Sequence, residues 1–499
     1  MHFRERLMKT LLVSDSIGLG IMEVRPEPAW LVRLTALRNK DLLAPDYGAM
    51  HVAAYLKGNG YNLDVINLVA DVHDRAELFR EPNTDPEEIS GSAIGKANAA
   101  RTSREYLMNK LVEYAPDVVL LPLSVYNLAL YSRKLLAEIR DACPDCLLVT
   151  GGIYATFHAE EILEDGNADV VVRGEGEHTT AELLDAFERG LDLGGITGIS
   201  FRRNSRTVRN RSRQPIGDLD SLPHLYTVSE EFNIRNRFDL LSELNPADDY
   251  IPGAGFLTSR GCPEACTFCL DPAINNRRTR FHSAEYVRNV LEYCAENFTG
   301  GSSGFFFGDA TFTMNKKRLR AILAQLGGLP YTYQIQTRAD YLDREIIDSL
   351  AQCGFTTVAI GAESFNERIL QDVAGKRMQV ETILEAARSV RRSGMQPVLT
   401  FIVGFPGESR ESIERTVEIL KQNELCTATF FPLVVFRGTA LYDTFRRRFS
   451  EEDMEALRLN PMSEEFLFAS DEFPTREELT SFTEKTNRAI IEARVRASR

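Results

Sequence analysis

The residues able to do chemistry are concentrated in one short segment, GFLTSRGCPEACTFCLDP (255–272), where Cys262, Cys266 and Cys269 form a C-x3-C-x2-C array directly after the apolar run GFLTS. With eight cysteines in 499 residues, chance alone would produce that spacing about 0.002 times. Three thiolates in one loop suit a soft metal, either zinc or an iron–sulfur cluster. Structural zinc asks for a fourth protein ligand, and the nearest candidate, His282, lies 13 residues beyond Cys269, outside standard finger spacing. A four-iron cluster on three protein thiolates would instead leave one iron open, as catalytic metal sites keep a position for substrate. The other cysteines carry less. Cys143-Pro-Asp-Cys146 is formally C-x-x-C but joins a helix to a buried strand, and Cys294, Cys353 and Cys426 sit in apolar contexts typical of core cysteines.

The surrounding chain must position that loop. Its 499 residues suffice for about three domain-sized units, or two with elaborations, and at 43% hydrophobic and 26% charged its composition is that of an ordinary globular chain. No apolar run approaches the ~18 residues of a membrane span, and MHFRERLMKTLLVSDS reaches Asp15 before a signal-peptide core could form, so a cytoplasmic protein is expected. A net charge of −14 disfavours nucleic acid as a partner. Between 10 and 190, apolar runs alternate with helical patterns: LLVSDS (11–16), DYGAMHVAAYLKGNG (46–60), YNLDVINL (61–68), PDVVLLPLS (116–124), LALYSRKLLAEIRDA, CLLVTGG (146–152) and ADVVVRGEGE (168–177). Runs apolar on both faces predict a parallel sheet in a doubly wound α/β domain. Ligands of such sheets bind at the carboxyl ends of the strands, here Ser124-Val125, Gly151-Gly152-Ile153 and Gly174-Glu175. The same glycines would also serve simple tight turns, and both readings stand at this level. No G-x-G-x-x-G follows the first strand, which weighs against a nicotinamide-type site. Residues 197–216 carry six arginines in RRNSRTVRNRSR; a solvated hairpin is expected, with an anion- or RNA-contacting face as the alternative. DLDSLPHLY (218–226) reads as an extended linker.

The motif C-x3-C-x-aromatic-C, with Phe268 as the aromatic residue, resembles the radical S-adenosylmethionine (SAM) superfamily, and the resemblance runs through about 190 residues. SGFFFGDATF (303–312), YTYQIQTRAD (331–340), FTTVAIGAES (355–364), MQPVLTFIVGFPGE (395–408) and CTATFFPLVVFRGT (426–439) make, with the strand before the cysteines, six β/α units, matching the partial (β/α)6 barrel of that superfamily. The resemblance implies that Cys262, Cys266 and Cys269 ligate a [4Fe–4S] cluster whose open iron is chelated by SAM. It sets Gly308 and Asp309 at the methionine amino group, although Asp309-Ala310 replaces the usual second Gly-Glu pair. It sets Arg338 and Glu363-Ser364 at the methionine carboxylate and ribose, and Gly404-Phe405-Pro406 at the adenine.

The α/β domain and hairpin ahead of such a barrel resemble the cobalamin-binding class of radical SAM proteins. In that class the turns at Ser124-Val125, Gly151-Gly152-Ile153 and Gly174-Glu175 surround the corrin and its nucleotide tail, and PDYGAM (45–50) stands where a Pro-Leu-Gly element opens the first helix. The D-x-H-x-x-G loop of older cobalamin folds is absent after the first strand, which reads SDSIGLGIMEV; the similar string at 71–76 follows the second strand, ends in Ala76 and reads as coincidence. The implied architecture is a Rossmann-like cobalamin domain with hairpin (1–225), a linker (226–250), a radical SAM partial barrel (251–445) and a helical cap at the barrel mouth (446–499). The implied function is a cobalamin-dependent radical SAM methyltransferase. One SAM would methylate the corrinoid, and a second would yield the 5′-deoxyadenosyl radical that activates an unactivated carbon of a small, natural-product-like substrate. Electrons would come from a reducing partner such as flavodoxin or ferredoxin. The alternatives are an oxidase, cyclase or ring-rearranging enzyme with the same cofactors, a methylthiotransferase-like RNA-modifying enzyme, for which Cys143 and Cys146 offer too few thiolates, and a non-catalytic sensor.

Overall fold

The computed structural model describes residues 8–14, 46–67, 104–123, 129–234, 254–297, 304–329, 331–447, 450 and 472–497, and the chain divides into two compact units. In the first unit the apolar runs become β1 (Thr10–Ser14), β2 (Leu63–Asn67), β3 (Val118–Pro122), β4 (Leu147–Gly151), β5 (Val170–Val172), β6 (Ile199–Arg203) and β7 (Arg206–Arg209). They form one sheet in the order β2-β1-β3-β4-β5-β6-β7. The first five are parallel and the last two antiparallel. Val118–Leu121 and Val170–Val172 are buried throughout, as strands covered on both faces must be. The parallel core, 2-1-3-4-5, is a doubly wound order whose ligand crevice lies at the carboxyl ends, where the chain leaves β1 and β3 in opposite directions. Connecting helices include α1 (Tyr47–Gly58), α2 (Ala129–Ala142), α3 (Gly152–Phe157), α4 (Ala159–Glu164) and α5 (Glu177–Glu188). Asp46 caps α1 by accepting from the Ala49 amide at 3.0 Å.

The arginine-rich segment is the expected hairpin. Asn204 and Ser205 both have positive φ, which suits a two-residue turn matched to strand twist. Its arginines are largely taken up locally: Arg202 donates to the Gly166 carbonyl, while Arg203 pairs with Asp192, Arg209 with Glu160 and Arg213 with Glu182. Four of the six arginines are so engaged, while Arg206 and Arg211 are exposed. The segment after it departs from the expected extended linker. Short turns form at Leu219–Ser221 and Leu225–Val228, and Leu219, Leu222, Leu225, Tyr226, Val228, Phe232 and Ile234 are buried, because the apolar residues between the charged ones find a core. Residues 218–220 group with the second unit and 221–234 with the first.

The second unit contains β8 (Ala254–Phe256), β9 (Ser259–Arg260), β10 (Arg280–Phe281), β11 (Gly304–Phe307), β12 (Thr332–Thr337), β13 (Phe355–Glu363), β14 (Gln396–Val403) and β15 (Ala428–Pro432). Its main sheet runs β8-β11-β12-β13-β14-β15, every neighbour parallel and in chain order. Between these strands lie α6 (Asp271–Ile274), α7 (Ala284–Asn297), α8 (Lys316–Gln325), α9 (Arg344–Gln352), α10 (Val380–Arg392) and α11 (Arg410–Gln422), followed by α12 (Ala440–Arg446) and α13 (Arg476–Ala497). This is the six-stranded partial barrel expected from the sequence. Phe256, Phe305, Phe307, Phe312, Tyr333 and Phe355 form an aromatic cluster across four strands, each fully buried ring stabilising by about 1.5–3 kcal/mol.

Of the expected helical cap over 446–499, residues 448–449 and 451–471 lie outside the described residues. Its described part, α13, lies along β15, and Asn487 bonds both backbone groups of Phe430, accepting from its amide at 2.8 Å and donating to its carbonyl at 2.9 Å. The helix thereby covers the exposed edge of the sheet, whose unpaired backbone groups would otherwise be open. Among the described residues no helix is long and apolar enough to cross a membrane.

Candidate active site

The cysteine loop is held at both ends by groups that leave little choice of residue. β9 and β10 pair as a short antiparallel ribbon at its base. Gly261 enters the loop at φ +100°, and a Cβ there would collide with the carbonyl oxygen of Arg278, so only glycine fits. Asp309, at the carboxyl end of β11, has no exposed surface; its carboxylate accepts from the Thr258 hydroxyl and from the Ser259 amide at 2.6 Å. Arg318 donates to the Thr258 carbonyl at 2.7 Å and hydroxyl at 2.5 Å. Burial pushes the Asp309 carboxyl up, against Arg318 and these donors. Asp309 therefore braces the strand leading into the loop, whereas the resemblance sets it against the methionine amino group. Gly308 precedes it, with its own amide bonded to the Phe256 carbonyl at 3.1 Å.

The middle of the loop is clasped by the segment that follows β13. After β13 a single π-helical turn, Ile369–Val373, delivers two carbonyls to Thr267: Val373 accepts its hydroxyl at 2.5 Å and Ala374 its amide at 3.0 Å. Such turns are frequent at functional sites. Leu441 at the start of α12 donates to the Thr267 carbonyl at 2.8 Å. The three thiols feel one another, and burial raises all of them, Cys269 to about 12; at Cys266 the cations of Lys376 and Arg338 oppose that rise. Metal binding here would expel the protons. Among the described residues no three His, Cys, Asp or Glu side chains are placed to hold a single metal ion. His282 is engaged elsewhere, with Nδ1 3.0 Å from Asp220 and its ring stacked on Tyr286 at 3.8 Å. The zinc reading thus loses its fourth ligand. Three neighbouring thiols beside two cations fit the alternative, a cluster of net negative charge.

The remaining residues of the barrel set fall into two groups. Arg338, Glu363 and Cys266 converge around Lys376, a buried cation the sequence did not single out. Glu363 closes β13 in a left-handed conformation, φ +63°, after a register shift, and pairs with Lys376 at 2.6 Å; Lys376 also donates to the Gly361 carbonyl at 2.5 Å. Ser364, Gly404 and Phe405 are joined through Glu408, a second residue not singled out. Its carboxylate accepts from the Ser364 hydroxyl at 2.8 Å and from the amides of Gly404 at 2.9 Å and Phe405 at 3.3 Å. Burial pushes Glu408 up to about 7 against those three donors. Phe405 is fully buried and meets Phe268 edge-on, ring centres 5.7 Å apart. Pro406 lies between Phe405 and Gly407, whose positive φ lets the turn pass Arg368. The signal for Glu408 was its place directly after the GFPG turn; Lys376 had none, since its partners lie 13 and 15 residues away.

In the first unit the turns after β3, β4 and β5 are stitched together. Leu123 donates to the Gly151 carbonyl at 2.7 Å and accepts from the Tyr154 amide at 3.0 Å. Gly152, at φ +93°, opens α3, and Thr156 of that helix accepts from the amide of Gly174, itself at φ +79°. Ile153 is 39% exposed at the start of α3, an apolar surface at the carboxyl edge of the sheet. Glu175 is turned to the chain after the hairpin, accepting from the Ile216 amide at 2.6 Å. Ser124, Val125 and the string at 71–76 lie outside the described residues. Cys143 and Cys146 are both buried, and burial raises both thiols, Cys146 to about 12, which suits inert core cysteines.

Comparison with known proteins gives two family matches: residues 256–420 match the radical SAM superfamily and residues 35–184 the B12 binding domain. An uncharacterized methyltransferase of Pyrococcus horikoshii is 31% identical over 336 residues, covering 66% of this chain and 70% of that protein. The cytidylyl-2-hydroxyethylphosphonate methyltransferase of Streptomyces wedmorensis is 22% identical over 442 residues, 83% of this chain and 80% of that one. Among solved structures, the radical SAM methyltransferase TsrM from Kitasatospora setae, with cobalamin and a [4Fe–4S] cluster bound, superposes with a TM-score of 0.63 at 17% identity, covering 89% of this chain and 78% of that one. At that identity the likeness is one of fold.

Proposed function

The chain belongs to the cobalamin-binding radical SAM enzymes of the methyltransferase type, with a [4Fe–4S] cluster, SAM and cobalamin as cofactors, and from that premise we propose that it methylates an unactivated carbon of a small molecule. In this reading Cys262, Cys266 and Cys269 hold the cluster, and a flavodoxin- or ferredoxin-class protein supplies electrons. The observation that carries it is the cysteine loop itself, fixed by Asp309 at its base and by the π-helical turn at Thr267, with Lys376 and Arg338 beside Cys266.

When bound, the cluster supplies the electron that cleaves SAM, and cobalamin carries the methyl group. The chain's own contribution is to fix positions and exclude water. Asp309 and Thr267 hold the cysteine loop rigid before any cofactor arrives, which lowers the cost of organising the ligands. Glu408 locks the Gly404-Phe405 turn to Ser364 and so preforms the surface proposed for adenine and ribose. Glu363 is held by Lys376 at the end of β13, and the Phe268–Phe405 pair closes an apolar wall between cluster loop and adenine turn. In the first unit, Gly151-Gly152 and Gly174 permit close approach of the corrin, with Ile153 as an apolar contact; Ser124 and Val125 complete the proposed set.

The test is anaerobic reconstitution with iron, sulfide and hydroxocobalamin, then reduction with SAM present. Retained corrinoid with both 5′-deoxyadenosine and S-adenosylhomocysteine is the expected result. Deoxyadenosine without S-adenosylhomocysteine would replace methyl transfer by oxidation, cyclisation or rearrangement.

A further inference from the structure

Arg338 is committed to protein groups that leave one nitrogen facing sulfur. Its Nε and Nη2 fork onto Asp340, reaching Oδ1 at 3.0 Å and Oδ2 at 2.8 Å, and Nη2 also donates to the Lys376 carbonyl at 3.0 Å. Glu264 lies 3.6 Å from the same nitrogen. The remaining nitrogen, Nη1, donates to Cys266 Sγ at 3.6 Å. The side chain is buried, and a guanidinium does not lose its proton in a protein.

We propose that Arg338 acts on the cluster through Cys266 and sets its reduction potential, in place of the methionine-carboxylate contact that the family resemblance assigns to it. The proposal rests on the reading that the three cysteines hold a cluster. Reduction adds one electron, from a donor of the flavodoxin or ferredoxin class; no bond forms or breaks in that step and no proton moves. The reduced cluster carries one more negative charge than the oxidised one, so a fixed cation and an N–H···S bond at a ligand sulfur stabilise it preferentially. Bonds to sulfur and local charge are both levers on iron–sulfur potentials. Asp340 works against Arg338: its carboxylate holds the guanidinium plane in place and offsets its charge. Arg338 is thus a positioning residue whose effect is read in a potential, and Asp340 limits its size.

The two residues therefore predict shifts of opposite sign, which a purely structural role would not produce. The full chain, reconstituted anaerobically, is titrated potentiometrically without SAM and followed by electron paramagnetic resonance. Arg338→Met should lower the one-electron reduction equilibrium about tenfold and Asp340→Asn should raise it by a similar factor; tenfold is about 59 mV for one electron. SAM affinity, measured by equilibrium binding to the oxidised protein, should stay within threefold of wild type in Arg338→Met. Unmoved potentials in both variants, or shifts of the same sign, overturn the proposal. So does an unmoved potential in Arg338→Met with SAM affinity lowered more than tenfold, which returns the residue to the carboxylate. If Arg338→Met does not fold, Asp340→Asn decides alone, its raised potential supporting the proposal and an unchanged or lowered one ending it. Failure of the underlying cluster reading is separately visible, as wild-type protein that retains no iron or sulfide before any titration.

Discussion

Removing the Glu408 carboxylate should disconnect the adenine turn from the end of β13. The side chain is 3% exposed and receives three donors, the Ser364 hydroxyl and the amides of Gly404 and Phe405. Glu408→Ala leaves those donors facing a cavity, and each buried unsatisfied group costs about 1–3 kcal/mol. Relaxation of the turn relieves part of this, so a net loss of about 3 kcal/mol is expected, equivalent to roughly 100-fold in SAM affinity if all of it falls on the binding-competent conformation. Glu408→Gln is the control. Its amide oxygen can still accept from the two backbone amides while its NH2 donates to Ser364, whose hydroxyl can accept, so affinity should stay within about threefold. The pair also separates in pH. Burial raises the folded-state pKa of Glu408 to about 7 from an ordinary 4.5, so the folded chain binds the extra proton between those values and the unfolded chain does not. The contribution to stability is then complete below pH 4.5, falls as pH rises and is lost above about 7. Thermal unfolding of the apo-protein should show this component in wild type and not in Glu408→Gln. Equal SAM affinities for the Ala and Gln variants, or identical pH dependence of wild type and Gln, would refute the reasoning.

Three further perturbations follow from the same geometry. Gly261→Ala drives a Cβ into the Arg278 carbonyl and holds alanine at φ +100°; iron content after reconstitution should fall to background while the far-ultraviolet circular dichroism of the folded chain is kept. Lys376→Met strips the partner from the buried Glu363 and should destabilise the second unit by about 3–5 kcal/mol, with the double variant Lys376→Met/Glu363→Gln recovering most of that in denaturant unfolding. Asn487→Ala exposes both backbone groups of Phe430 and should cost about 2 kcal/mol, read as a lower midpoint in urea and as faster amide exchange confined to β15.

The sequence makes the sheets legible because their strands are short, nearly continuous apolar runs such as VVLLP and VVV, buried on both faces as such runs must be. The cysteine loop is equally legible, since three soft ligands at fixed spacing carry their chemistry with them. What resists reading is the identity of partners. Lys376 looks like any lysine until the register shift at Gly361 brings Glu363 round to it, and no local rule assigns a left-handed φ to a glutamate. Arg338 and Asp309 stand at the expected strand ends, yet beyond the local fork of Arg338 onto Asp340 their partners at Cys266, Lys376 and Ser259 lie 38 to 72 residues away. The stretch 218–226 shows the converse error: proline and charge suggest an extended linker, whereas leucines at every third position (219, 222 and 225), with Tyr226, supply enough apolar surface to fold it down. Three of the hairpin arginines are paired by Glu160, Glu182 and Asp192, acids that belong to other elements and so could not be assigned from the hairpin's own sequence.

A cluster held by Cys262, Cys266 and Cys269 with one iron open to SAM has a direct spectroscopic consequence. It is tested most directly by the electron paramagnetic resonance spectrum of the reduced, reconstituted protein, recorded before and after SAM is added. A [4Fe–4S] signal that changes shape on adding SAM and is absent from Cys266→Ala is expected. A signal that SAM leaves unaltered, or one that survives in Cys266→Ala, would contradict it.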